Sequence, residues 1–214
     1  MFLKSLVTPA LPSAFHYMLD DQTPILVRPV HAEDASRLKD GFKHLSKLAR
    51  RRRFMPEDQN EISEEQLRLL VSSDQINHVV WGAANIEKPD EPGIGIARYS
   101  RLNGDPQAAD VAIVITDEYQ GRGAGFVLQA CLHLSAWNNG IRRFYYDVHS
   151  DNDRIIKHLK LLGGKHAGRA DNIDRIELPV YHRAWDVPGN NDISRRFSEV
   201  FKRLQDVEEL RDAA

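Results

Sequence analysis

A buried strand that runs into a turn of three glycines and then into an apolar helix limits most what this chain can fold into. Asp110-Val111-Ala112-Ile113-Val114-Ile115 is nearly all apolar, as a strand covered on both faces must be. Gln120-Gly121-Arg122-Gly123-Ala124-Gly125 follows it. Val127, Leu128, Cys131, Leu132, Leu134 and Ala136 then mark a helix that stops at Asn139-Gly140. A helix N-terminus offers unpaired backbone N–H groups and the positive end of the helix dipole. Glycines let a ligand approach that backbone with no Cβ in the way. Such a turn suits a phosphate-bearing ligand.

Three phosphate-binding patterns compete for these residues. A nucleotide-binding P-loop ends in Gly-Lys-Ser/Thr, and Gly125-Phe126-Val127 has neither the lysine nor the hydroxyl. A dinucleotide fold asks for a third glycine where Phe126 stands and for a parallel strand–helix–strand unit before the turn. Asp147 does fall near the place of a ribose-binding acid, so spacing alone leaves that reading open. Gln/Arg-x-x-Gly-x-Gly/Ala matches fully, at Gln120, Gly123 and Gly125.

The rest of the chain supplies the sheet and its cover. Residues 1–23 carry no sustained period and read as an irregular arm. Ile25 to Pro29 is a short strand. Ala35, Leu38, Phe42, Leu45 and Leu48 form a helical stripe that should break near Gly41, and Ser63-Glu64-Glu65 opens a further helix. Strands at His78–Ala83 and Ile94–Tyr99 flank a Pro/Gly/Asp loop and precede the Asp110 strand. After the glycine turn come a strand at Phe144–Val148, a helix from about Asn152 to Leu162 and a closing strand from Ile173 to Tyr181. This order predicts an α+β fold, a mixed and mostly antiparallel sheet with helices on both faces.

The third pattern resembles the acyl-CoA signature of the GNAT superfamily of N-acetyltransferases, and the likeness runs from about Ile25 to Tyr181. In finer grain it resembles the acetyltransferase domain of bacterial protein-lysine acetyltransferases. The matching segments, in the same order, are Arg28-Pro29 with Glu33-Asp34-Ala35, Gly95-Ile96-Ala97-Arg98-Tyr99, and Asp117-Glu118-Tyr119-Gln120-Gly121-Arg122-Gly123. The resemblance implies a GNAT acyltransferase domain over residues 24–183. Its donor would be acetyl-CoA, with the pyrophosphate held by backbone N–H groups of Gln120, Gly121, Arg122, Gly123, Ala124, Gly125 and Phe126. It further implies that the pantetheine arm pairs with the main chain of Val114, Ile115 and Thr116, where two parallel strands splay, and that Asn152 touches the arm.

Acyl transfer to an amine needs a base and a donor for the oxyanion. The resemblance puts Asp110 at the base position, one methylene shorter than the usual glutamate. It puts Leu159 where a tyrosine commonly protonates the departing thiolate, and leucine cannot. Tyr145, Tyr146 and His149 are the remaining candidates for moving a proton. The expected reaction is acetyl or short-acyl transfer to an amine acceptor, a protein lysine or a small molecule. A CoA-binding regulatory or scaffold protein with impaired turnover is the alternative.

The chain has 214 residues, enough for one domain and an added element, with 29 basic against 31 acidic side chains. That balance gives no reason to expect nucleic acid, and Arg50-Arg51-Arg52-Arg53 reads as a solvated helix face, which the resemblance puts near the acceptor side. No apolar run reaches the roughly 20 residues that cross a bilayer. One cysteine, Cys131, rules out an internal disulfide, and the nine histidines show no ligand spacing, so no metal is expected and the cytoplasm is the default. Ile193, Phe197, Val200, Leu204 and Val207 form an apolar seam in a C-terminal amphipathic helix at 190–214. The helix should dock on its own domain; a homodimer through the seam is the sharper alternative.

Overall fold

The computed structural model describes residues 13–54 and 61–212, apart from the side chains of 52–54 and 207–212. Along the chain run β1 (Phe15–Met18), β2 (Pro24–Pro29), α1 (Ala35–Lys43), α2 (Lys47–Phe54) and α3 (Glu64–Val71). Next come β3 (His78–Asn85), β4 (Gly95–Leu102), β5 (Asp105–Ile115), α4 (Ala124–Asn138) and β6 (Arg143–His149). The chain continues through α5 (Asp153–Leu161), β7 (Lys165–Ala170), β8 (Ile173–Pro179) and α6 (Asp192–Asp212). The strands form one sheet in the order β1-β2-β3-β4-β5-β6-β8-β7. Every pairing is antiparallel except β5 with β6.

Alternation along the strands sorts the two faces. Val79, Trp81, Ala97, Tyr99, Ala109, Val111, Phe144 and Tyr146 pack toward α4, α5 and α6 in the larger core. Val80 packs the other way, with Phe42, Leu45, Leu67 and Leu70 of the α1–α3 side. Helix α4 is apolar on nearly every side because it lies between the sheet and α6. Burial pushes the Cys131 thiol far above its usual range, so the lone cysteine is packing rather than a nucleophile. Helices on both faces of a mixed, mostly antiparallel sheet are the expected architecture.

The differences from expectation have local causes. Phe15–Met18, read as part of an irregular arm, is a strand paired with Pro24–Val27, and Phe15 packs against Trp81 at 6.2 Å between ring centroids. Four residues are too few to show a period. Residues 1–12 of the arm lie outside those described. The stripe expected to break at Gly41 breaks instead after Lys43, with Gly41 inside α1. A single glycine costs a helix only about 1 kcal/mol. Ser46 opens the next helix, its Oγ accepting from the Ala49 amide at 3.2 Å. Ser63 caps α3 as expected, reciprocally with Gln66. β7 carries no apolar alternation because both of its faces are largely exposed at the edge of the sheet.

The apolar seam of α6 is used within the chain. Phe197, Val200, Phe201 and Leu204 are buried, packed with α4 and with His133 and Tyr181. The helix thus docks on its own domain, the first of the two expectations for it; the side chain of Val207 lies outside those described. His133 is the centre of this contact. Its ring stacks on Tyr181 at 5.3 Å and meets Phe144 and Phe197 edge-on, and its Nδ1 accepts from the Tyr181 amide at 3.0 Å.

Candidate active site

The glycine turn stands where β5 leaves the sheet. A short turn over Asp117–Tyr119 is anchored by Tyr119, whose buried ring receives a hydrogen bond on its hydroxyl from Asn85 at 3.0 Å. Gly121 and Gly123 then take φ of 80° and 99°, values that favour glycine, and α4 starts at Ala124. Phe126 and Val127 donate back to the Gly123 carbonyl at 3.0 and 3.3 Å. The amides of Gly121 through Gly125 make no backbone hydrogen bond among the described residues. Space around the turn is uneven. A Cβ at Gly121 would meet nothing within 4 Å and one at Gly125 only Ile115 at 3.8 Å, whereas one at Gly123 would sit 3.1 Å from the Asp20 carboxylate. The cradle is therefore open on one side and walled by Asp20 on the other.

Below the turn, β5 and β6 part. Their pairing runs from Ala108↔Arg143 to Val111↔Tyr146 and stops there, although both strands continue. The gap beside Ala112–Ile115 is the expected splay. Its detail differs from expectation. Thr116 donates its amide to Ile94 of the neighbouring strand segment at 3.0 Å, so Thr116 and, by alternation, Val114 turn their backbone groups toward β4. Those of Ile113 and Ile115 face the gap, and the Ile115 carbonyl already accepts from the Gln120 side chain at 3.2 Å. Asn152 lies across the gap at the N-cap of α5, and its side chain makes no capping bond.

At the apex of the gap the α1–α3 face is polar. Asp110 is in register with Ser100 on one side and Tyr145 on the other, and Tyr145 with Glu177. Arg175 holds Asp110 at 2.5 Å and Asp147 at 3.0 Å, so the acid once considered for a ribose is part of this charge cluster. Burial raises the Asp110 pKa, and Arg175 opposes the rise. Tyr145 donates its hydroxyl to Glu177 at 2.8 Å, which raises its pKa and makes it a poorer proton donor. Tyr146 points to the opposite face, near Gln129, and its burial raises it further. Asp110 and Tyr145 are thus brought together and Tyr146 is set apart.

His149 stands at the far end of β6, under α2. Arg51 reaches its Nε2 at 3.4 Å and Asp151 its Nδ1 at 3.1 Å. With both ring nitrogens engaged, His149 must exchange a partner before it can move a proton. Its present contacts tie α2 across the mouth of the gap, as Ser46 does at the other strand by donating its amide to Asp117 at 2.8 Å. Leu159 is fully buried in the larger core, so the tyrosine position carries a packing residue. His158 beside it packs at a tilt against Phe126, 5.2 Å between ring centroids, and burial lowers its pKa to about 4, which keeps it neutral.

The other matching segments prove structural. Arg28 and Asp34 form a two-pronged ion pair at 2.6 and 2.7 Å that ties β2 to the start of α1. Gly95 leaves no room for a Cβ, which would fall 2.5 Å from Ile115 and 2.8 Å from the Val114 carbonyl. A cavity of about 140 Å³ lies between α1, α3 and the sheet, lined by Leu26, Val30, Leu38, Phe42, Ile96 and Val114 among others. It has room for a small apolar group. No cluster of three or more His, Cys, Asp or Glu side chains suited to a metal occurs among the described residues, and no described helix is long and apolar enough to cross a membrane.

Comparison with known proteins agrees with this geometry. Residues 25–165 match the family model described as an acetyltransferase (GNAT) domain. An acetyltransferase of Pseudomonas aeruginosa is 33% identical over 165 residues, which is 77% of this chain and 86% of that protein. The acetyltransferase Pat of Mycolicibacterium smegmatis is 33% identical over 137 residues; these cover 64% of this chain but 40% of that longer protein. Among solved structures, the GNAT domain of S. lividans PAT superposes with a TM-score of 0.70 at 26% identity, covering 78% of this chain and 96% of that one.

Proposed function

The chain belongs to the GNAT acetyltransferase family, and on that footing we propose that it transfers an acetyl or other short acyl group from CoA to a primary amine by direct attack. The observation that carries the reading is the gap between β5 and β6, with the glycine turn at its open end and Asp110 at its apex. Family members use acetyl-CoA as donor. Backbone N–H groups of Gly121 to Gly125 would face the pyrophosphate, those of Gln120 and Phe126 being engaged by the carbonyls of Asp117 and Gly123, and the groups of Ile113 and Ile115 would pair with the pantetheine arm. This alternation favours Ile113 and Ile115 over Val114 and Thr116 as the pairing residues.

The attacking amine must lose a proton. Asp110, one methylene short of a glutamate and held by Arg175, would take it through a water. The amine nitrogen then bonds to the thioester carbonyl carbon, whose oxygen becomes an oxyanion facing the amide of Ile113, the first gap-facing position past the last paired residue. Collapse breaks the carbon–sulfur bond, and the second proton of the former ammonium leaves the nitrogen for water or for the departing thiolate. A thiol of pKa about 8.5 is a tolerable leaving group, and the thiolate departs without a protein acid at Leu159. Asp110, Asp147 and Glu177 on one open face favour a cationic acceptor. Protein lysine is the acceptor implied by the family likeness, and a small amine shares its chemistry. The CoA donor and the single cysteine support the cytoplasm as the compartment.

The test is release of free thiol from acetyl-CoA with a panel of lysine-rich peptides, polyamines and amino acids, with the acylated product identified by mass. Turnover of any amine supports the reading. A second reading, a CoA-binding protein without turnover, is favoured by the buried Leu159 and by Arg175 on Asp110. It holds if acetyl-CoA raises the melting temperature while no amine releases thiol.

A further inference from the structure

Two segments outside the matched family region meet at the glycine turn. One is the β1–β2 turn, with Asp20 and Asp21; the other is α6, with Arg196. Arg196 forms an ion pair with Asp20, and its guanidinium lies over the Phe126 ring, 5.3 Å from the centroid, on the first turn of α4. The Asp20 carboxylate is against Gly123, 3.1 to 3.3 Å from where a Cβ would be, and the Asp20 amide donates to the Arg122 carbonyl at 3.1 Å. Asp21 holds Arg122 at 2.9 Å. An anionic side chain thus rests against the Gly123 side of the turn and holds a guanidinium there, beside the open cradle. Both ion-pair partners are about half exposed, Asp20 at 54% and Arg196 at 46% of their side-chain surface, so opening the pair costs little.

Resting on the CoA reading above, we propose that Arg196 of the C-terminal helix is a phosphate ligand of CoA, and that Asp20 engages its guanidinium in the unliganded protein. The guanidinium is planar, always charged and shaped to grip two phosphate oxygens. Packing of Phe197 and Phe201 into the core fixes the helix that carries it, which gives the tail helix a role in donor binding beyond covering the core. The β1–β2 turn then acts as a competitor, because CoA must take Arg196 from Asp20 before that contact forms.

Calorimetric titration with CoA and with 3′-dephospho-CoA tests this on wild type, Arg196→Ala, Asp20→Asn and the double variant, after melting curves without ligand show each is folded. Arg196→Ala should weaken CoA by roughly tenfold to a hundredfold, the worth of one charge-assisted contact. Asp20→Asn should tighten CoA several-fold, and most of that gain should vanish when Arg196 is also alanine. A loss on CoA but not on 3′-dephospho-CoA assigns the contact to the 3′-phosphate; an equal loss on both assigns it to the pyrophosphate. If Asp20→Asn weakens CoA as Arg196→Ala does, the pair is only a strut and the proposal fails. It fails equally if Arg196→Ala binds within twofold of wild type. A wild-type protein that binds no CoA overturns the donor reading itself, and this inference with it.

Discussion

On the α4–α6 side of the sheet, Ala109, Val111, Phe144 and Tyr146 meet Val127, Leu128, Leu132 and Phe197 in a closed apolar core. On the other side, the residues between them on the same strands are Asp110, Tyr145 and Asp147, half-open to solvent and linked through Arg175 and Glu177. One alternation therefore builds both a sealed wall and a reactive surface. The wall can be sealed because α6 and α4 cover it fully; helices α1–α3 cover only the β2–β5 part of the other side. Outside that cover the sheet can afford charges, beside the point where the two parallel strands separate. The glycine turn joins the two regimes, since its helix belongs to the wall and its amides open to the gap.

The contrast can be broken most severely at the turn. Gly123→Leu should lower CoA affinity on the order of a hundredfold or more. The positive φ costs a side chain roughly 1–2 kcal/mol, and each lost charge-assisted contact roughly 1.5–3 kcal/mol. The added Cβ points at Asp20 rather than into the open cradle, so the loss comes through displacement of the turn. Calorimetry showing near-wild-type affinity in the folded variant would remove the turn from the donor site.

Next in size is the polar face. Asp110→Asn should lower kcat/KM by about 10²–10⁴, the usual worth of a positioned base. The deficit should be widest at the low end of a pH 6–9.5 series and narrow as the amine deprotonates by itself. CoA affinity should change little. A profile that overlays wild type leaves Asp110 with no chemical role.

The sealed face responds through His133. Burial lowers its pKa to about 3, against about 6.5 in an unfolded chain, so below pH 6.5 the unfolded state binds a proton that the native state refuses. Stability should fall as pH drops from 6.5 toward 3, by up to about 1.4 kcal/mol per pH unit from this residue. His158, lowered to about 4, adds a term of the same sign. His133→Phe should flatten the melting temperature between pH 6.5 and 4.5; an unchanged slope means that His133 is not the group responsible.

The smallest effect is expected at Arg175. Its removal takes away the cation that opposes the burial of Asp110, so the acid limb of kcat/KM in Arg175→Ala should move to higher pH. A move the other way, or none, would show that the ion pair does not tune the base.

Much of this was legible in the residues. The buried strand, the glycine turn and the helix after it declare themselves within 30 positions, because strand burial, positive φ and helix capping are local requirements. The order of elements was enough for a mixed sheet with helices on both faces. Less could be read where the signal was weak or shared. Four residues of β1 and the exposed edge strand β7 show no period, and the break after Lys43 depended on a serine cap competing with a glycine. Phe201 completes the docking face of α6 but falls off the heptad seam, so it was missed. At the site, the place of Asp110 on the buried strand was legible, but the ion pair from Arg175, 65 residues away, was not.

By itself, the sequence determined the glycine turn at Gln120 to Gly125 and the buried strand that delivers it, since both depend on residues adjacent in the chain. Tertiary structure alone decided which backbone groups face the gap, which proton-bearing side chains share a face, and what sits on the turn. Asp20 and Arg196 are 176 residues apart and carry no local signal, yet they meet at Gly123. Contacts of that kind are set by how a hairpin and a terminal helix close over the sheet, a consequence of packing that no window of the sequence contains.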